Sequence, residues 1–232
     1  MEKITIGTIP AIIWGKPSDR VYIHVHGKMS RKEYAENFAR IAERKGYQTV
    51  SFDLPEHGER TDHSYRCDIF NGKKDLTLVA DYVFSKWHDV SLFACSIGAY
   101  FSLNTYAERP FTTCLFQSPM VSLEYFIRQQ FARYNITEDQ LRCEKEITTP
   151  DELLRWDYYQ YVISHPVTSW NIPTAILYGA KDNLQPLEII KKFADTFHCS
   201  LTVSQNSGHP FMNPADAPVV SAWLEENISA DK

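Results

Sequence analysis

Apolar positions along the chain follow two periods. Six short runs rich in β-branched and aromatic residues read as strands: "RVYIHVHG" (20–27), "QTVSFDLP" (48–55), "DVSLFACS" (89–96), "TTCLFQSP" (112–119), "PTAILYGAKD" (173–182) and "SLTVSQNSGH" (200–209). Between them the period lengthens. In "SRKEYAENFARIAERKG" (30–46), Tyr34, Phe38, Ile41 and Ala42 fall at helical spacing and Gly46 ends the run. The segments 75–87, 97–110, 186–197 and 217–228 also read as helices. Strand and helix in alternation predict an α/β fold, a mostly parallel sheet covered on both faces. "KITIG" and "IPAIIWG" at the start predict an antiparallel hairpin on one edge.

One segment breaks this rhythm. Residues 119–171 are far longer than a crossover connection and are helical in character, with runs at 123–134, 137–147 and 149–164. Thr149-Pro150-Asp151 carries the capping chemistry of a helix start for the last of these. The expectation is one α/β core, 1–118 and 172–232, with a helical cap inserted at 119–171.

Charge and cysteine usage narrow the function classes. The formal net charge of −5 argues against nucleic acid as a partner, because phosphate binding needs a basic face. Cys67, Cys95, Cys114, Cys143 and Cys199 are odd in number and lack CxxC spacing, so neither a disulfide framework nor a metal site is expected. Reduced thiols fit a cytoplasmic protein. The N-terminal segment reads as strand and not as a secretory signal, and no apolar run reaches membrane-spanning length.

The stretch "SLFACSIGAYFS" (91–102) places Cys95 and Ser96 side by side between a strand and a helix. Reactive groups gather at the carboxyl ends of strands in open parallel sheets. A tight strand-to-helix turn requires small residues two before and two after its apex. With Ser96 at the apex those positions are Ala94 and Gly98; with Cys95 they are Phe93 and Ile97, which are too large. Ser96 is therefore the candidate nucleophile. On this stretch alone, a buried strand followed by a helix N-capped by Ser96 explains the pattern equally well.

A serine needs a base, and the base needs an orienting acid. His209 follows the last strand between Gly208 and Pro210, and Asp182 follows the preceding strand. The chain order is then Ser96, Asp182, His209. An oxyanion would be held by the Ile97 amide, at a helix N-terminus, and by the Lys28 amide after Gly27, with Met29 as the alternative. His26 reads as structural.

"HVHGK", "DLPEHGER", "ACSIGA", "YGAKDNLQP" and "SGHPF" occur in an order and spacing that resembles the α/β-hydrolase superfamily, most closely its serine aminopeptidase-like and monoacylglycerol-lipase-like branch. The resemblance covers nearly the whole chain and implies a Ser96–His209–Asp182 triad, a variable cap at 119–171 and a structural role for Asp53 and His57. Two departures stand out: Ala94 at the first glycine of G-x-S-x-G, and Glu56 where relatives often have glycine. The function so implied is a soluble serine esterase acting through an acyl-enzyme on small to medium apolar esters, with neither metal nor organic cofactor. Aromatics of the insertion, among them Tyr125, Trp156 and Tyr159, are expected to line the substrate pocket. An aminopeptidase, thioesterase or acyltransferase would use the same machinery, and a binding protein could use the same scaffold.

Overall fold

A computed structural model describes residues 1–230. The chain opens with an antiparallel hairpin, β1 (Glu2–Ile6) and β2 (Ile9–Trp14). It continues through β3 (Arg20–Val25), a 3-10 turn at Lys32–Ala35, α1 (Glu36–Arg44), β4 (Gln48–Phe52), α2 (Ile69–Phe84), β5 (Asp89–Cys95), α3 (Ile97–Tyr106) and β6 (Cys114–Gln117). The insertion follows, with α4 (Leu123–Tyr134), α5 (Glu138–Glu144), β7 (Glu146–Thr148), β8 (Leu153–Arg155) and α6 (Trp156–Ser164). The chain then returns to β9 (Thr174–Gly179), α7 (Leu187–Phe197), β10 (Ser200–Ser204) and α8 (Ala217–Asn227).

Eight strands form one sheet in the order β1-β2-β4-β3-β5-β6-β9-β10. From β4 to β10 every pairing is parallel, and the β1–β2 hairpin joins antiparallel at the β4 edge. The central strands are apolar on both faces because both are covered: Val21, Ile23, Val50, Leu92 and Phe116 are buried on one side and Tyr22, Phe93, Leu115 and Leu177 on the other. After β3 the chain places β4 on one side and β5 on the other. This reversal opens a crevice beyond the carboxyl ends of β3 and β5, where open α/β sheets hold ligands.

One core helix starts well before the pattern-based expectation. The second core helix begins at Ile69, not at residue 75, because the Asp68 carboxylate caps it by accepting the Asn71 amide at 3.0 Å. Gly72 hid this turn from the apolar pattern. A Cβ there would lie 2.8 Å from the Phe101 ring, so glycine permits close approach of α2 and α3.

The insertion also differs. Residues 146–155 form the β7–β8 hairpin, and α6 starts only at Trp156. Thr149 does use its hydroxyl as a cap, accepting the Glu152 amide at 2.9 Å, but it closes the hairpin turn. The same side-chain chemistry serves turns and helix starts, and the cross-strand pairing decides between them.

Candidate functional site

Ser96 sits between β5 and α3 with φ 52° and ψ −123°, a conformation costing about 1–3 kcal/mol for a residue with a side chain. Small neighbours make it possible. A Cβ on Gly98 would lie 2.4 Å from the His26 carbonyl oxygen, and one on Gly27 would lie 3.0 Å from the Ser96 Cβ. The strained turn is tied down by its own backbone: the Ser96 amide donates to Gln117, and its carbonyl accepts from Ala99 and Met120.

The turn aims Ser96 Oγ at His209 Nε2, 2.8 Å away. His209 Nδ1 lies 2.7 Å from Asp182 Oδ2, and both side chains are shielded from solvent. Asp182 is held by the turn after β9, where Oδ1 accepts the Leu184 amide at 2.8 Å and the Gln185 amide at 3.2 Å. A carboxylate can only accept, so Nδ1 carries the imidazole proton and Nε2 is left to accept from the serine hydroxyl. Neighbouring Cys95 differs in chemistry as well as position, since desolvation pushes its thiol up to about 12. The loop carrying His209 is anchored on both sides: Ser207 donates to the buried Asp216 at 2.7 Å, and Gln117 donates to the Pro210 carbonyl at 2.9 Å. Nothing in the sequence pattern marks Gln117 or Asp216 for these tasks, because each acts through a partner distant along the chain.

Two histidines shape the loop after β3. His26 Nε2 accepts the Leu54 amide at 3.0 Å, so its Nδ1 donates to the Gly27 carbonyl at 2.7 Å. Burial holds His26 down at about 4, which keeps it neutral in this role. In a trans peptide the N–H opposes the C=O, so the Lys28 amide points away from the His26 ring. His57 repeats the arrangement one residue on, donating from Nδ1 to the Pro55 carbonyl and accepting the Met29 amide at Nε2, 3.0 Å away. The Met29 amide is thereby engaged and does not supply the alternative oxyanion donor. Among the described residues the Lys28 amide has no acceptor within the chain, and the Ile97 amide opens α3 without an intrahelical partner.

Beneath this loop the buried Lys32 and Asp53 form an ionic cluster with the exposed Glu59. Lys32 Nζ is 2.7 Å from both Asp53 Oδ2 and Glu59 Oε1, and Asp53 also accepts the Lys32 and Glu59 amides. Burial disfavours the Lys32 charge, but its carboxylate partners outweigh burial and raise its pKa. Gly58, at φ +58°, is required here, since a Cβ would fall 2.2 Å from the Asp53 carboxylate.

Ser96, Ile97, Lys28 and His209 open into a cavity of about 820 Å³. The wall has an apolar part, with Met120, Leu123, Phe126, Ile127 and Leu184, and a polar part, with Glu56, Arg66, Asp68, Glu152 and Arg155. The three aromatics expected to line it do not. Tyr159 is fully buried and donates to Glu138, Trp156 packs against Tyr159, and the Tyr125 hydroxyl accepts from Gln129. Their neighbours Phe126 and Tyr158 take the wall positions instead. The readable signal was the stripe Leu123, Phe126, Ile127 at i, i+3, i+4 on α4. The abundance of aromatics pointed to the right segment but the wrong faces. Among the described residues no cluster of three His, Cys, Asp or Glu side chains is placed to hold a metal ion, and no helix is long and apolar enough to cross a membrane.

No protein-family model and no curated protein matches the chain in sequence. Its structure is similar to many solved ones. Est1E from Butyrivibrio proteoclasticus, with ferulic acid bound, has a TM-score of 0.78 at 18% identity and covers 97% of both chains. The α/β hydrolase domain-containing protein 10 from mouse has a TM-score of 0.78 at 16% identity, covering 95% of this chain and 93% of its own. A monoacylglycerol lipase from Paleococcus ferrophilus has a TM-score of 0.67 at 15% identity, covering 97% and 99%. With its sheet order, its strained serine turn and this likeness over nearly the whole length, the chain has the α/β-hydrolase fold.

Proposed function

We propose that the chain is a serine hydrolase that cleaves carboxylic esters through an acyl-enzyme. The observation that carries this is the continuous path Ser96 Oγ to His209 Nε2, His209 Nδ1 to Asp182, at 2.8 and 2.7 Å. In this reading Ser96 attacks the ester carbonyl while His209 takes its proton. The oxyanion forms against the Lys28 and Ile97 amides. His209 then protonates the leaving alcohol, and a water activated by the same imidazole releases the acid. Asp182 keeps Nδ1 protonated and stabilises the imidazolium. A small-molecule ester with an apolar portion fits the wall formed by Leu123, Phe126 and Ile127. That a monoacylglycerol lipase shares the fold is consistent with this chemistry.

The polar wall favours an ester over a coenzyme A thioester. Lys28 is paired with Glu152 at 2.5 Å, Arg66 with Glu146 at 2.9 Å and Arg155 with Asp68 at 2.6 Å, so the cations a polyphosphate would need are already engaged. The test is intact-mass spectrometry after fluorophosphonate treatment. One adduct is expected on the wild type and none on Ser96→Ala; an unlabelled, well-folded wild type would overturn the reading.

A further inference from the structure

Gln185 stands where the turn that carries Asp182 meets the root of the insertion. It lies just ahead of α7 and has no exposed surface. Its main chain belongs to the acid turn. The amide donates to Asp182 Oδ1 at 3.2 Å, and the carbonyl accepts the Tyr178 hydroxyl at 2.7 Å. Its side chain reaches across to the insertion. There Oε1 accepts the Val121 amide at 3.1 Å and the Ser122 amide at 2.9 Å. Nε2 donates to the Ser122 and Leu184 carbonyls, each at 3.0 Å. A glutamine side chain has two acceptor and two donor positions, and here all four are taken. An apolar residue in its place would leave shielded amides without an acceptor, which costs more than a made bond gains.

Both parts joined by this clasp border the cavity. Ser122 caps α4, its hydroxyl accepting the Tyr125 amide at 3.2 Å, and Leu123, Phe126 and Ile127 of that helix line the cavity. Leu184 lines it as well, and its amide donates to the same Asp182 oxygen at 2.8 Å. The chain entering the insertion is also tied to the serine turn, where the Met120 amide donates to the Ser96 carbonyl. Resting on the esterase reading above, we infer that Gln185 is a positioning residue. It acts through Asp182 and α4, holding His209 and the apolar part of the wall in one frame, so that a substrate seated on α4 meets a correctly turned imidazole.

The experiment measures kcat and KM across pH for butyl butanoate and ethyl acetate in the wild type, Gln185→Met and Tyr178→Phe. Gln185→Met keeps the length of the side chain and removes its hydrogen bonds. Its kcat is expected to fall about 10²-fold, the scale of a small displacement of catalytic groups. The acid limb of its kcat/KM profile is expected to move to lower pH, because the imidazolium loses part of its carboxylate partner. The preference for butyl butanoate over ethyl acetate should shrink as α4 loses its register with the triad. Tyr178→Phe loosens Gln185 from its carbonyl side and should move the acid limb the same way by a smaller amount; it decides the matter if Gln185→Met does not fold. Trp87→Phe, which removes a buried hydrogen bond to Gln48, should lower the melting temperature and leave kcat and the acid limb unchanged. An acid limb or a preference that stays at the wild-type value in a folded Gln185→Met would show a merely structural clasp and overturn the inference. Fluorophosphonate labelling of the same samples separates the two proposals. A labelled wild type with an unmoved acid limb in the variants defeats this inference alone, and an unlabelled wild type defeats the esterase reading.

Discussion

On the sheet side of the cavity, the loop from Gly27 to Lys32 is fastened at both ends by groups that see almost no solvent. His26 grips the Gly27 carbonyl, and Lys32 sinks into Asp53, both histidine and lysine being buried. On the insertion side, the β7–β8 hairpin meets the core through ion pairs: that of Arg155 with Asp68 is largely buried, and those of Lys28 with Glu152 and Arg66 with Glu146 are half exposed. Buried, hydrogen-bonded charges have essentially one low-energy arrangement, whereas exposed pairs are weak and exchange with water. The floor of the cavity, which in the proposed reading must hold the oxyanion donors to within tenths of an ångström, is built the first way. The roof, which in the proposed reading meets the variable part of a substrate, is built mostly the second way.

The largest expected effect lies on the floor. Asp182→Asn keeps the acceptor for the Leu184 amide but can hold His209 in the wrong tautomer, and kcat should fall by roughly 10⁴-fold. Thermal unfolding should shift little. A kcat near wild type would show that another acid orients His209.

Stability separates floor from roof next. Lys32→Met strands the Asp53 carboxylate, which has no exposed surface, and should cost about 3 kcal/mol in urea unfolding. Arg66→Met, which removes a pair between the core and the Glu146 carboxylate of the roof, should cost less than about 1 kcal/mol. Equal costs would erase the distinction.

The pH dependence of folding belongs to the floor as well. Burial holds His24 down at about 3 and His26 at about 4, against an unfolded value near 6.5. Both are lowered, so the unfolded chain binds the extra protons. Their stabilisation is complete above about pH 6.5 and is lost as the pH falls toward 4 and then 3, at about 1.4 kcal/mol per pH unit for each group inside its window. His24 stacks on Phe93 with ring centroids 4.6 Å apart, so His24→Phe should flatten the acid limb of the stability profile. An unchanged limb would place the titration elsewhere.

The same division explains what was legible in the sequence. The parallel core, the edge hairpin and the order Ser96, Asp182, His209 follow from local pattern, because strand ends and small flanking residues are written contiguously in the chain. The steric choice of Ser96 over Cys95 needed only Ala94 and Gly98. The roof was less legible. Thr149 could cap a helix or close a turn, and only the pairing of Ile147 with Leu154 settles it. Whether Tyr158 or Tyr159 faces the cavity depends on a rotation of α6 that an all-round aromatic run, Trp156 to Tyr161, does not encode. The engagement of Met29 with His57 was hidden for the same reason, since it joins two loops distant along the chain.

The smallest expected effect tests the link between floor and roof directly. Lys28 contributes its amide to the floor, while its ammonium reaches Glu152 at the tip of the hairpin, 2.5 Å away. This pair is the point where movement of the roof could be felt at the loop that carries the proposed oxyanion donor. Because the Lys28 side chain is half exposed, Glu152→Gln should cost less than about 1 kcal/mol in stability. Raising the salt from roughly 0.1 to 1 M, which shortens the Debye length from about 10 to about 3 Å, should weaken the pair in the wild type and change Glu152→Gln less. If His26 and His57 alone hold the loop, kcat for a small alkyl ester should stay within about threefold in both conditions, as expected for losing a weak surface pair. A larger and salt-dependent fall in kcat would mean that the roof helps to set the floor, and that the two regions work as one unit.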